Sequence, residues 1–315
     1  MTAPTPIGNA RAAADDPVDA WTSWPAPAKL NLFLHIVGRR ADGYHLLQTA
    51  FQLLDWGDSV HLRVREDGAI RRLDPLPGVA AEADLGLRAA QALREASGTR
   101  LGADIAIDKR IPLGGGLGGG SSDAATTLVA LNAMWSTGLD EPALEKIALG
   151  LGADVPVFVR GHSAWAEGVG EELTRIELAE RWYVVVDPGA AVPTRELFQV
   201  RELTRNSPRL TIPLFASGAT TGNAFEPAVR ERFPAVAAAL DWLAADVGSG
   251  EARLSGSGGC VFAPVASREA GLAVLADCPA GMRGFVALGV NESPLRMRLA
   301  AWRKEKVSVG ASPSW

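Results

Sequence analysis

The segment of this sequence best suited to chemistry is a glycine loop (residues 112–122), which reads Pro112-Leu113-Gly114-Gly115-Gly116-Leu117-Gly118-Gly119-Gly120-Ser121-Ser122. Because glycine has no Cβ, successive backbone N–H groups can converge on one anion. Apolar residues then recur at helical spacing from Ser122 onward, and the N-terminus of a helix adds unpaired donors and a favourable dipole. The pattern predicts a phosphate site, although Gly and Ser alone also permit a flexible linker.

The residues in and around the glycine loop argue against two established phosphate-binding motifs. A P-loop is excluded because no lysine stands in a Gly-x4-Gly-Lys-Ser/Thr pattern. A formal Gly-x-Gly-x2-Gly is present at Gly114, Gly116 and Gly119, but Asp108 and Lys109 precede it where a dinucleotide fold needs a buried apolar strand. A triphosphate is therefore favoured over a dinucleotide.

Two charged residues are candidates for transferring a phosphoryl group to an alcohol. That reaction needs charge neutralisation and a carboxylate that takes the proton of the hydroxyl. Asp154 directly precedes the apolar residues 155–159, which are predicted to form a strand, and Lys29 lies on the polar face of an alternating strand over residues 28–37. Taken alone, Asp154 is also typical of a turn aspartate, and Lys29 of a solvated lysine.

A late glycine turn (residues 255–259) reads Ser255-Gly256-Ser257-Gly258-Gly259 and precedes a predicted strand. Alone it indicates only a tight turn. Combined with the glycine loop, it would let a second stretch of backbone approach the same ligand closely.

The elements that must position these residues are mixed in order. Strands are predicted at residues 28–37, 51–54, 59–64, 103–107, 155–159, 182–186, 260–263 and 284–289, and helices at residues 85–96, from 122 onward, 141–150, 233–245 and 271–275. This order favours an α+β fold over a doubly wound sheet. A length of 315 residues favours two packed domains with a cleft between them.

Composition excludes several classes of function. The net charge of -5 gives no reason to bind nucleic acid, and the two cysteines form neither a disulfide framework nor a metal motif. No uninterrupted apolar stretch reaches about 18 residues, and the first twenty residues lack the pattern of a secretory signal. We therefore expect a cytoplasmic protein that binds no membrane.

In this order, the motifs resemble the GHMP small-molecule kinases. The resemblance rests on Pro27-Ala28-Lys29-Leu30-Asn31-Leu32, the glycine loop and the late glycine turn, and it covers residues 24 to 294. It implies an α+β fold with a ribosomal-protein-like N-terminal ATP-binding domain over residues 23–174 and a C-terminal α/β sandwich over residues 175–303. The substrate cleft would lie between them, with a disordered tail at residues 1–22 and a polar tail at 304–315.

The resemblance also implies roles for single residues. Asp154 would be the general base and bind substrate, Lys29 would pair with it, and Asn31 would orient the site. The glycine loop would wrap the phosphates of ATP, with Ser121 and Ser122 near the β and γ groups and Lys109 beside the adenine. Mg²⁺ is expected with ATP, but the sequence names no ligand for it.

Within the family, the Asp42-Gly43-Tyr44-His45 segment implies a small-molecule acceptor that is a cytidine diphosphate sugar alcohol. Its base would stack on Tyr44 and Phe198 and be read by His45, and Thr194, Gly256 and Gly258 would also contact substrate. Homoserine and mevalonate kinases of the same family lack this segment. A catalytically idle relative is opposed by the presence of both Lys29 and Asp154, and the chain is expected to be a monomer or a homodimer.

Overall fold

A computed structural model describes residues 20–74, 79–219, 221–247 and 251–310. The expected tail over residues 1–22 lies outside the described residues except for its last three, and Thr22 already begins the first strand. Of the expected C-terminal tail, residues 311–315 lie outside the described part.

Ten strands join in one sheet within the described residues. They are β1 (Thr22–Arg39), β2 (His45–Arg65), β3 (Ile70–Arg72), β4 (Gly102–Asp108), β5 (Ala164–Glu167), β6 (Glu172–Arg175), β7 (Trp182–Asp187), β8 (Arg253–Leu254), β9 (Val261–Val265) and β10 (Arg283–Val290). The pair β3–β4 is parallel, and the other pairs are antiparallel.

The helices flank this sheet. They are α1 (Leu85–Ser97), α2 (Gly119–Met134), α3 (Glu141–Leu151), α4 (Val155–Arg160), α5 (Thr194–Leu197), α6 (Ile212–Ala216), α7 (Glu226–Arg232), α8 (Pro234–Asp246), α9 (Arg268–Ala276) and α10 (Pro294–Gly310). The mixture of antiparallel strands and interspersed helices confirms the predicted α+β class.

Strand β10 connects the two halves of the sheet. It pairs with β7 over most of its length, and its last two residues, Gly289 and Val290, pair with Leu54 and Leu53 of β2. One large hydrophobic cluster packs β2 and β4 against α1, α2 and α4, and a second packs β7 and β9 against α7 and α8. The boundary expected between residues 174 and 175 stays a prediction.

One predicted strand is wrong. Residues 155–159 form most of helix α4, with Pro156 in its first turn and Gly161 ending it at φ 63°. All five residues are buried, so the run has no polar face whose period could separate a strand from a helix. Proline is favoured in the first helical turn, because its missing N–H has no partner there anyway.

Other boundaries also differ from those predicted. The strand expected at 28–37 extends over β1, and both of its faces are covered rather than one. The two strands expected at 51–54 and 59–64 are one continuous strand, β2. The polar tail expected from residue 304 begins inside α10, which continues to Gly310.

Candidate active site

A cleft of about 820 Å³ collects most of the predicted site residues. Its lining comes from β1, β2, the glycine loop, the start of α4, α5 and the late glycine turn, so both halves of the sheet contribute. The predicted residues that line it are Lys29, Asn31, Tyr44, His45, Gly114, Gly116, Gly118, Asp154, Thr194, Phe198 and Gly256. Gly258 is not among the lining residues, since it turns the chain against Leu254.

Lys29 and Asp154 meet in this cleft although 125 residues separate them in sequence. The Lys29 Nζ lies 3.3 Å from Asp154 Oδ2. Lys29 is only 2% exposed, whereas the Asp154 side chain is 36% exposed and faces the cleft. The pair therefore offers a carboxylate accessible to a ligand and a fixed cation behind it.

Buried polar contacts fix the ammonium of Lys29. It donates to Asn31 Oδ1 at 2.5 Å and to the carbonyl of Gly116 at 2.9 Å, and it lies over the ring of Phe51. Asn31 in turn donates to Thr49 Oγ1 at 3.0 Å. Because Lys29 and Asn31 are two apart on β1, their side chains leave the strand on the same face, as the sequence predicted.

The glycine loop forms a wall between the cleft and a smaller outer cavity of about 220 Å³. Gly114, Gly116 and Gly118 border both spaces, and each has φ between 70° and 75°. The outer cavity is also lined by Lys109, Leu85 and the remaining loop residues from Pro112 to Ser121. A single segment of backbone is thus exposed to ligands on two sides.

The end of the glycine loop is already helical. Helix α2 begins at Gly119, three residues before the predicted start, and the amide of Ser122 donates to the carbonyl of Gly118 at 2.8 Å. The N–H groups of residues 119–121, in the first turn, have no partner within the helix. Ser121 lines the outer cavity, whereas the Ser122 hydroxyl is fully buried and has no hydrogen-bond partner among the described residues.

The late glycine turn packs directly against the glycine loop. Ser255 Oγ donates to the Gly116 carbonyl at 3.0 Å, and the amide of Cys260 donates to the carbonyl of Gly115 at 3.0 Å. A Cβ at Gly116 would lie 2.1 Å from the Ser255 carbonyl oxygen. The two glycine segments therefore contact each other directly, while the expectation that both approach one ligand stays a prediction.

The opposite end of the cleft is aromatic. The rings of His45 and Phe198 stack with centroids 4.8 Å apart, and Tyr44 is 65% exposed beside them. Arg205 Nε donates to His45 Nε2 at 3.2 Å. Burial, followed by the charges of Arg205 and Arg39, lowers the pKa of His45, so the imidazole is neutral near pH 7.

Several residues at the site were missed by the sequence reasoning. Thr49 and Arg205 gave no sequence signal, because each acts through a contact distant along the chain. The same is true of Asn223, whose amide donates to the carbonyls of Leu254 and Gly256 and so holds the late glycine turn. The two serines of the late glycine turn, in contrast, belong to a segment that the sequence had already indicated. One of them, Ser257, shares a hydrogen bond with Thr194 and lines the cleft with it.

Lys109 lies beside the glycine loop, in a buried ion cluster. Its ammonium donates to Asp58 and, at 2.7 Å, to Oδ2 of Asp123, the fifth residue of α2. Burial raises the pKa of Asp123 to about 7 against the opposing charge of Lys109. Lys109 is thus held by two carboxylates as well as lining the outer cavity.

Two further findings concern the described residues only. No group of three or more His, Cys, Asp or Glu side chains is arranged there to hold a metal ion. No helix in those ranges is long and apolar enough to cross a membrane.

Two solved structures of kinases that are named for different acceptors have the fold of this chain. A homoserine kinase from Cytophaga hutchinsonii aligns over 90% of this chain and 98% of its own, with a TM-score of 0.60 and 16% identity. The mevalonate kinase from Methanococcus jannaschii aligns over 88% of this chain and 100% of its own, with a TM-score of 0.61 and 16% identity. Both therefore have the same arrangement of elements as this chain.

Sequence comparison identifies nearer relatives. The family described as GHMP kinases N terminal domain matches residues 84–162, and the one described as GHMP kinases C terminal matches residues 200–283. A 4-diphosphocytidyl-2-C-methyl-D-erythritol kinase from Xanthomonas axonopodis pv. citri is 59% identical over 282 residues, which are 89% of this chain and 95% of that protein. One from Halorhodospira halophila is 57% identical over 89% of this chain and 97% of its own.

A nearer solved structure agrees with these relatives. The crystal structure of a 4-(cytidine 5'-diphospho)-2C-methyl-D-erythritol kinase has 34% identity and a TM-score of 0.75, covering 85% of this chain and 100% of that one. The order of the motifs, the fold and the sequence identity over most of the chain all indicate the same family. This chain belongs to the GHMP kinase family, among its 4-diphosphocytidyl-2-C-methyl-D-erythritol kinases.

Proposed function

We propose that this chain transfers the γ-phosphoryl group of ATP to the 2-hydroxyl of 4-diphosphocytidyl-2-C-methyl-D-erythritol, giving the 2-phosphate and ADP. The reaction would be a step in the non-mevalonate route to isoprenoid precursors. The observation that carries the proposal is the 3.3 Å pair of Lys29 and Asp154, which lies between the glycine loop and the aromatic end of one cleft.

Asp154 would act as the general base on the acceptor. The hydroxyl oxygen attacks the γ-phosphorus, its proton passes to the Asp154 carboxylate, and the bond to the β–γ bridging oxygen breaks with ADP as the leaving group. The partial exposure of Asp154 supports this role, since the carboxylate must contact the substrate. Lys29, touching both Asp154 and the Gly116 carbonyl, would stabilise negative charge as it moves between acceptor and donor.

The glycine loop and the N-terminus of α2 would hold the phosphates of ATP. Free N–H groups at a helix start favour an anion, and the glycines let the phosphates approach the backbone. The outer cavity beside Lys109 would receive the rest of the nucleotide, and the cleft would receive the acceptor. For transfer, the γ-phosphate would extend past the loop glycines that border both spaces into the cleft, where the acceptor hydroxyl would lie beside Asp154.

The aromatic end of the cleft would bind the cytosine. Tyr44 and Phe198 offer ring surfaces of the kind on which a base stacks. His45 is neutral near pH 7, and its Nε2 accepts from Arg205, so its other nitrogen carries the proton and can donate to the ligand. Thr194 and Gly256 border the middle of the cleft, where the diphosphate and sugar alcohol would lie.

Magnesium is part of the proposal, because ATP is normally transferred as its magnesium complex. Mg²⁺ usually keeps several waters and takes most other ligands from phosphate, so a cage of three carboxylates is not required. The hydroxyl of Ser122 in the first turn of α2, which is buried and has no partner in the described part of the chain, fits as a single oxygen ligand. Bound there, the ion would neutralise charge on the phosphates.

The test measures ADP release with three acceptors offered separately: diphosphocytidyl-methylerythritol, homoserine and mevalonate. We expect turnover with the first alone. Asp154→Asn should lower turnover by about 10²-fold or more while ATP still binds, because a general base acts on the acceptor. Asp140→Asn is the matched control, since this exposed cap of α3 makes the same chemical change and asparagine caps equally well.

Turnover restricted to homoserine or mevalonate would refute the proposed acceptor. Equal activity of Asp154→Asn and Asp140→Asn would remove Asp154 from the role of base.

A further inference from the structure

The ion cluster of Asp58, Lys109 and Asp123 lies outside the cleft and takes no part in the chemistry above. It joins three elements: Asp58 is on β2, Lys109 follows β4, and Asp123 is the fifth residue of α2. The side chains of Asp58 and Asp123 are 0% and 4% exposed, and that of Lys109 is 16% exposed. Such a buried set of charges is costly to form unless each member is paired.

Both oxygens of Asp58 are used at the beginning of the glycine loop. Oδ2 accepts from Lys109 Nζ, and Oδ1 accepts from the backbone amides of Arg110 at 2.5 Å and Ile111 at 2.7 Å. Those amides immediately precede Pro112. The path by which the chain leaves β4 and enters the loop is therefore set by one side chain of β2.

The same cluster reaches the end of the loop through Lys109. Its ammonium donates to Asp123 in α2, and a Cβ at Gly119, the first residue of that helix, would lie 3.3 Å from Lys109 Nζ. Lys109 also lines the outer cavity, and one of its three ammonium protons is not used by the two carboxylates. Both ends of the glycine loop are thus tied to one ion cluster on the nucleotide side.

We propose that Asp58 and Asp123 are positioning residues for ATP, which hold the two ends of the glycine loop at the spacing that the phosphates require. Asp123 acts through Lys109, and Asp58 acts through Lys109 and through the backbone amides at the beginning of the loop. The inference rests on the proposed function, since it assigns ATP to this loop. The acceptor end of the cleft is built on Tyr44, His45 and Phe198, which do not contact the cluster. Loss of the cluster should therefore weaken the binding of ATP and leave the binding of the acceptor unchanged.

The test uses the full-length chain and a non-hydrolysable ATP analogue with Mg²⁺, titrated by calorimetry without acceptor. We expect Asp58→Asn to raise the Kd of the analogue by about ten- to a hundredfold, because displacement of a binding group by about 1 Å has effects of this order. The KM for the acceptor, measured at saturating ATP, should stay within about twofold of wild type.

Asp104→Asn is the matched control. Asp104 is an equally buried aspartate that holds two arginines of β2, Arg63 and Arg65, but it makes no contact with the glycine loop. A general loss of stability would affect both variants, whereas a loss of positioning would affect Asp58→Asn alone. Circular dichroism melting establishes that each variant is folded at the assay temperature.

Asp123→Asn keeps the test decisive if Asp58→Asn fails to fold, because it leaves the bonds of Asp58 to Lys109 and to the loop in place. It is measured at about pH 8, where Asp123, whose pKa burial raises to about 7, is ionised in the wild type. We expect a smaller rise in the Kd of the analogue, again without a change in acceptor KM.

Unchanged analogue affinity in the folded Asp variants would overturn the proposal, as would an equal loss in Asp104→Asn or an equal rise in acceptor KM. Because the titration contains no acceptor, a wild type that binds the analogue without phosphorylating any acceptor would refute only the proposed function.

Discussion

Two loop glycines with the same backbone conformation offer a test of how the glycine loop is built. Gly114 and Gly116 have φ of 70° and 75°, but their surroundings differ. A Cβ at Gly114 would have its nearest neighbour at 3.8 Å, on Ala191, whereas one at Gly116 would lie 2.1 Å from the backbone oxygen of Ser255. Alanine at either position pays the same conformational cost, and only Gly116→Ala adds an overlap with backbone.

The left-handed conformation costs an L-residue about 1–2 kcal/mol, which is the expected destabilisation for Gly114→Ala. Overpacking against groups that cannot rotate away adds about 1–3 kcal/mol, so Gly116→Ala should lose about 2–5 kcal/mol in total. Its carbonyl accepts from Lys29 Nζ, and displacement of that acceptor moves the cation beside Asp154. We expect turnover at saturating substrates to fall by about tenfold or more in Gly116→Ala.

The assay pairs urea unfolding with initial rates of ADP release for both variants. The denaturation midpoints give the difference in free energy of unfolding, and the rates at saturation separate turnover from binding. Equal loss of stability in the two variants would refute the role assigned to the contact with Ser255. Normal turnover in a destabilised Gly116→Ala would refute the link from the loop to Lys29.

Two further predictions concern the aromatic end and the late glycine turn. The pKa of His45 is lowered from 6.5 by burial, Arg205 and Arg39, so below about pH 6.5 the unfolded chain binds more protons than the folded one and the free energy of unfolding falls with falling pH. His45→Gln should remove that part of the slope in urea titrations between about pH 5 and pH 7, and an unchanged slope would contradict the assignment. Asn223→Ala should destabilise the chain by about 1–3 kcal/mol, because it leaves the carbonyls of Gly256, in the late glycine turn, and of Leu254, just before it, without their donor. Thermal melting measures this loss, and an unaltered melting temperature would show that the amide does not hold the turn.

The parts of the fold that could be predicted from sequence are those with a clear period or clear boundary residues. Helix α1 has helical spacing and ends before Gly98, and β7 is a short apolar run that ends at Asp187. Helix α4 could not be predicted, because a run of five buried apolar residues looks the same in a helix and in a strand. Its helical state depends on where it packs.

The residues of the candidate site likewise include some that local sequence patterns predict and some that they do not. Lys29 and Asn31 could be placed on one face because a strand has a period of two, and the glycine loop could be recognised from its composition alone. The pairing of Lys109 with Asp58 could not be predicted, since 51 residues separate them and either would pass as an ordinary charged residue. Contacts of this kind follow from the pairing of strands, which no local pattern encodes.

The position of the glycine loop between two cavities has a thermodynamic consequence. A wall that touches one ligand on each side transmits any shift that either ligand causes, and its carbonyl at Gly116 also contacts Lys29. Linkage requires the effect to be reciprocal: whatever factor ATP contributes to the affinity for the acceptor, the acceptor contributes to the affinity for ATP. In the proposed arrangement of the two substrates, any cooperativity between them would be carried by this single backbone segment.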